Sequence, residues 1–240
     1  MKLKATLLLS TLVLSGAAFA QTTPEPDYTL SFNVGAVTDY RYRGISQTRL
    51  KPALQGGADF AHKSGFYVGT WASSIKWIKD AGGGADAEID VYGGYKFNAG
   101  PVGLDVGVLT YNYPSHDLAV SPDTQEGYIA GTFGPATLKY SHSFSNLFGF
   151  SDSKNSYYVD LSAAFDMGSG WSVVPHIGYQ KVKNNSAADY TDYSITLNKD
   201  LGNGFTASAA LVDTDTDAYV APNGKNLGKS GVVLGVKYSF

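Results

Sequence analysis

The sequence predicts an all-β chain folded as a transmembrane antiparallel up-and-down β-barrel of twelve strands. Apolar and polar residues alternate with a period of two along most of it, as at Val232, Leu234, Val236, Tyr238 and Phe240 against Gly231, Val233, Gly235, Lys237 and Ser239. The alternating segments cluster near the ~9–11 residues that a tilted strand needs to cross a bilayer. The connections between them are by turns short and long, the asymmetry of a barrel whose two rims face different compartments.

Residues 1–20 have the pattern of an export signal: Lys2 and Lys4, then the apolar run ATLLLSTLVLSG, then AFA before Gln21. Residues 21–240 then form a single barrel domain, because Gly, Ser and Tyr recur evenly and no linker divides them. QTTPEPD is a short lead-in, since Pro24 and Pro26 cannot donate to a ladder. The net charge of −3 becomes more negative once Lys2 and Lys4 are removed, which excludes the basic footprint of a nucleic-acid-binding protein. With no cysteine, disulfides and thiolate metal sites are excluded too. After Ala20 no apolar stretch approaches the ~20 residues of a membrane helix, so a membrane crossing must use strands.

In chain order, the first strand is expected over 28–43, with Leu30, Phe32, Val34, Ala36, Thr38, Tyr40 and Tyr42 toward lipid and Asp39, Arg41 and Arg43 toward the lumen. The tyrosines of TDYRYRGISQ would then join an outer aromatic girdle and its arginines would line the mouth. GISQT turns the chain, and 49–61 returns with Leu54, Ala58 and Phe60 outward and Arg49, Lys51, Gln55 and Asp59 inward. HKSG leads to 66–76, the loop IKDAGGGADA to 87–97, NAG to 101–112, and PSHDLAVSPDTQE to 126–133. GP leads to 136–144, SNLFGFSDSKN to 156–166, MGSG to 171–182, and KNNSAAD to 190–199. LGNG then leads to 204–213, and the longest loop, DTDTDAYVAPNGKNLGKS, to 231–240.

TDYRYRGISQT, followed by a proline and GGADFAHKSGFYVGTWAS, resembles the N-terminal signature of the TorF-type porins, a family of bacterial outer-membrane proteins. The resemblance is strongest from Phe32 to Ser74. It implies an outer-membrane barrel and a porin-like channel, and it brings no catalytic residues. The alternate apolar residues Val236 and Tyr238 before the terminal Phe240 also resemble the signal read by the barrel assembly machinery, a partner met during biogenesis. Outer-membrane lipids and lipopolysaccharide are the other macroscopic partners, and small hydrophilic solutes the cargo.

The phasing puts Asp39, Asp59, Glu88, Asp90, Asp105 and Asp160 in the lumen with Arg41, Arg43, Arg49, Lys51, Lys96, Lys139 and Lys237. Such a near-balance permits a narrow channel for passive diffusion, its outer arginines and lysine favouring anions. It also permits a packed, closed barrel with a structural or surface-binding role. A rim-site hydrolase is the third class, but the chain has no G-x-S-x-G and no H-E-x-x-H, and His142 between serines is no motif. No enzyme and no cofactor are expected.

Four further features bear on function. Asp213, Asp215 and Asp217 match the first ligands of a calcium loop, yet Ala218 and Gly224 stand where Gly and Glu are required, so no EF-hand-like metal site is expected. Trp71, Trp77 and Trp171 are expected as girdle anchors, and the in-strand glycines Gly93, Gly94, Gly107 and Gly131 as relief for sheet curvature. NLFGF, residues 146–150, is an apolar cluster in an outer loop that could fold into the lumen, bind a partner or pack on its neighbours.

Overall fold

Antiparallel pairing runs round the described residues and joins their first strand to their last. The computed structural model describes residues 26–240, and the expected export signal lies outside the described residues. The strands are β1 (Tyr28–Val37), β2 (Arg41–Tyr42), β3 (Ile45–Ser46), β4 (Ala53–His62), β5 (Phe66–Ser74), β6 (Ala87–Ala99), β7 (Val102–Asn112) and β8 (Thr124–Phe133). They continue as β9 (Ala136–Ser143), β10 (Tyr157–Ala163), β11 (Phe165–Gly168), β12 (Trp171–Lys181), β13 (Tyr190–Gly202), β14 (Phe205–Thr214) and β15 (Gly231–Ser239). Apart from β10 and β11, each strand from β4 onward pairs with its neighbours in sequence, and β1 pairs with β4 and closes the ring on β15 from Asn33↔Ser239 to Val37↔Gly235. Both β10 and β11 pair with β12, so they are halves of one interrupted strand and the barrel has twelve staves. Closure satisfies every stave's backbone groups without water, as a bilayer requires.

The outward positions form an apolar belt. Leu30, Val34, Leu54, Val68, Val91, Val108, Ile129, Leu161, Ile177, Ile195, Leu211 and Val232 are all exposed there, Leu54 to 71%. At the short-turn rim Tyr28 stacks on Phe60 with centroids 5.6 Å apart, and Tyr238 stacks on Phe240 at 5.3 Å. At the long-loop rim Tyr140 and Tyr157 lie 5.8 Å apart. These are the two aromatic girdles of a membrane barrel. Trp171, 41% exposed beside the MGSG turn, belongs to the first.

Trp71 and Trp77 do not anchor a girdle. Trp71 faces inward and meets Tyr40 edge-on at 5.3 Å. Trp77 sits in α1 (Trp77–Asp80), a single helical turn in the loop after β5, and packs edge-on against Tyr113 at 5.0 Å. Ile75 and Ile78 are fully buried beside them, so the hydrophobic core fills the long-loop mouth inside the ring.

Inward glycines have a more specific task than curvature. A Cβ on Gly107 would lie 2.5 Å from the Tyr128 hydroxyl, and one on Gly94 2.5 Å from that of Tyr67. Each tyrosine ring therefore lies across the backbone of a neighbouring stave, where only a bare Cα fits. Gly107→Val is expected to cost about 1–3 kcal/mol through overpacking and to lower the temperature at which the heat-resistant gel band disappears. Gly131→Ala, with nothing nearer than 3.7 Å, should leave that temperature unchanged.

Candidate functional site

The first stave stops at Val37 rather than running to Arg43. The Thr38 amide donates to the Leu234 carbonyl at 2.9 Å, and the Leu234 amide donates back to Thr38 Oγ1 at 3.0 Å. The chain then turns into the barrel as a hairpin, β2 against β3, with Tyr42 opposite Ile45. Arg43 and Gly44, at φ 45° and 79°, make its two-residue turn, a type whose central residues both need positive φ. At Gly44 the backbone also approaches its neighbours closely, because a Cβ there would lie 2.5 Å from Thr214 Cγ2. Arginine in the left-handed region is uncommon, and such strain concentrates at functional positions.

Asp39 holds the arm's base. Its carboxylate accepts from Arg41 Nε at 2.5 Å, Ser46 Oγ at 2.5 Å and Thr48 Oγ1 at 3.2 Å. Arg41 Nη1 donates to the carbonyls of Gly44 at 2.9 Å and Leu227 at 2.8 Å, tying the arm to the last outer loop. Arg41 is therefore a structural pin. Tyr40 and Tyr42 face the lumen, not lipid: Tyr40 is buried, and its hydroxyl donates to Glu88 Oε1 at 2.6 Å. Burial and then the Glu88 charge push its phenol well above the ordinary tyrosine range, so it stays a donor.

At the tip, Arg43 reaches the opposite wall. Its Nη2 pairs with Glu126 Oε2 on β8 at 2.7 Å, and Nη1 donates to Gln180 Oε1 on β12 at 2.7 Å. The guanidinium lies over the rings of Tyr42 at 4.9 Å and Tyr158 at 4.3 Å. Burial works against this cation, but the Glu126 carboxylate and nearby tyrosines outweigh it and hold it above the ordinary arginine range. Phe148, from NLFGF, packs edge-on against Tyr42 at 5.5 Å and Tyr111 at 5.1 Å, so this loop does fold into the lumen.

Arginine is matched by acid throughout the mouth. Arg49 pairs with Asp80 in α1, and Lys51 is exposed before β4 begins, so neither is an inward strand residue as the period suggested. Glu88 accepts a second phenol, Tyr113, at 2.8 Å. Among the described residues, neither Glu88 nor Asp90 enters an ion pair. Oxygens of Asp90 and Glu126 are buried with no hydrogen-bond partner among those residues.

Below the arm lies a cavity of about 600 Å³, bordered by Arg43, Lys139, Tyr158, Asp160, His176 and Asp192. His176 Nε2 is 3.0 Å from Asp160 Oδ2, and Tyr158 donates to Asp192 at 2.8 Å. Nearer the short-turn rim, Tyr67 donates to Asp105 at 2.6 Å and Tyr92 to Asp59 at 2.5 Å. Lys96 and Lys139 sit over Tyr67 and Tyr128 at 4.6 and 4.1 Å. A second cavity, about 530 Å³, lies above the arm, and Tyr42 borders both.

The lumen thus gathers Asp39, Arg41, Arg43, Asp59, Glu88, Asp90, Asp105 and Asp160. The sequence reading missed Glu126 and Asp192 as lumen partners and did not single out Gln180, which shares the inward phase of His176. Thr124, Glu126, Tyr128 and Ala130 do alternate with exposed or half-buried Gln125, Gly127 and Ile129, so the signal for Glu126 was present. Val236, Tyr238 and Phe240 point outward. In the last loop Asp215 accepts the Thr191 amide at 2.7 Å and Asp217 the Asn226 side chain at 2.6 Å, so these acids brace the loop.

Residues 21–240 match the family described as "Bacterial protein of unknown function (Gcw_chp)". The chain belongs to this family. No curated protein matches it. Among solved structures, the Gcw_chp chain is similar to the KdgM porin, with 9% identity and a TM-score of 0.58 over 88% of this chain and 99% of the other. It is similar to the NanC porin too, with 12% identity and a TM-score of 0.56 over 88% and 99%. KdgM has also been solved in complex with disordered oligogalacturonate. At these identities the likeness establishes the fold: a twelve-stranded barrel of the porin type.

Proposed function

We propose that the chain is a porin-like channel of the bacterial outer membrane, passing small hydrophilic solutes by passive diffusion, with no enzymatic activity. The observation that carries this reading is the partly open lumen, with cavities of about 600 and 530 Å³ on the two sides of the arm and Tyr42 bordering both. The apolar belt, the girdles, the likeness to KdgM and NanC, and the TorF-type resemblance all support it. The export signal in residues 1–20 and the outward Val236, Tyr238 and Phe240 fit delivery by the assembly machinery into a membrane bearing lipopolysaccharide.

The lumen's charge favours cations. Asp59, Glu88, Asp90, Asp105, Glu126, Asp160 and Asp192 outnumber Arg43, Lys96, Lys139 and Lys237, and the mouth arginines that suggested anions are each held by a carboxylate. An acidic oligosaccharide such as KdgM's ligand is therefore a poor solute here. Proteoliposome swelling tests the channel. Arabinose should enter protein-bearing vesicles faster than protein-free ones, and the trisaccharide raffinose more slowly than arabinose. Rates equal to those of empty vesicles for both sugars would favour a closed barrel, the reading to which the Arg43–Glu126 bar lends support.

A further inference from the structure

We propose that the upper cavity is a binding site for a neutral, planar ring compound carrying a hydrogen-bond acceptor. This deepens the channel reading by naming the solute class captured at the mouth, and rests on it only for transport. The cavity, about 530 Å³, is of the size that takes small organic ligands. Its walls are aromatic: Tyr42, Trp77, Tyr113, Phe148, Phe150 and Tyr219. Trp77 and Tyr113 meet at 83°, and Phe150 and Tyr219 at 77°. Edge-on pairs of this kind leave ring faces free to stack on a flat guest.

The polar groups select its chemistry. Tyr113 donates to Glu88 at 2.8 Å, Tyr219 to the Ala188 carbonyl at 2.9 Å, and Tyr42 bonds with Tyr111, so three of the four lining phenols are committed, Tyr190 being the fourth. Trp77 Nε1 is different. Among the described residues it is the only buried side-chain nitrogen without a partner, and an unmade bond of that kind is costly. The charged lining residue, Asp80, is already paired with Arg49, which leaves nothing to hold an ionic guest. Phe148 adds an independent sign. A bulky residue at φ 45°, fixed by the hydrogen bond that its amide N–H donates to Thr124 Oγ1 at 2.8 Å, places a ring in the wall at the expense of backbone strain.

Equilibrium dialysis of labelled caffeine, a neutral planar probe with carbonyl acceptors, against the full chain in lipid nanodiscs tests the site. Saturable binding is expected, weakened about tenfold in Trp77→Phe, which keeps a ring but loses one hydrogen bond. Phe150→Ala should weaken it too, and covers the case in which the first variant does not fold. Glucose in excess should not displace the probe. Uptake equal to empty nanodiscs, unchanged binding in a folded Trp77→Phe chain, or displacement by glucose would each overturn the proposal. Conductance of the same preparation separates the two readings: conduction without caffeine binding removes the site alone, and binding without conduction removes the channel alone.

Discussion

Arg43→Ala is expected to raise single-channel conductance by about twofold or more, because it removes the bar that crosses the lumen from the arm to β8 and β12. The bar is a rigid fork: two nitrogens hold two walls, each at 2.7 Å. Lysine has no such fork, so Arg43→Lys should keep the local charge yet release Gln180 or Glu126, giving an intermediate conductance with more frequent steps. Removing one partner of a buried pair leaves the other uncompensated. If Arg43→Ala alone reduces the folded yield, pairing it with Glu126→Gln should restore folding while the conductance stays high. Conductance unchanged in every folded variant would show that the arm does not limit the path.

Neutralising Glu88 and Asp90 together, as Glu88→Gln with Asp90→Asn, is expected to lower the potassium-over-chloride permeability ratio by about threefold or more. These two carboxyl groups lie beside the arm and lack ion-pair partners among the described residues; their burial disfavours the charged form, so the ratio is recorded at alkaline pH, where their charge is present and not cancelled locally. Glu88→Gln retains one carbonyl oxygen to accept from Tyr40, and its NH2 can donate to the Tyr113 hydroxyl, which keeps the arm's anchor. Asp213→Asn, at the outer end of β14, serves as the control and should leave the ratio where it was. A ratio unmoved by the double change would place the selecting charges elsewhere.

The barrel was legible because period two and loop alternation are repeated in every stave, so an error at one position does not propagate. Asp59, Glu88, Asp90, Asp105 and Asp160 followed from phase alone. The arm was not legible for a physical reason: Tyr-Arg-Tyr-Arg keeps perfect alternation after the ladder has ended. What ends the ladder is non-local, the capture of Thr38 by Leu234 and of Asp39 by Ser46 and Thr48. The local cue was Arg43-Gly44, a two-residue turn without the usual Asn or Asp. Trp71 shows the same limit from the other side. Its phase within β5 is inward, but an aromatic near the mouth suits a girdle and a lined lumen equally, and only its contact with Tyr40 decides between them. Glycines under tyrosine rings were beyond reach for a similar reason, since each pairs residues from different staves.

The central claim is that the lumen conducts, narrowed by the folded-in arm and biased by its carboxylates. Single-channel recording of the refolded chain in a planar bilayer under a potassium chloride gradient tests it most directly. Stable current steps with a reversal potential on the cation-selective side are expected. Silence from protein that still shows heat-resistant gel migration, or a reversal potential on the anion side, would contradict it.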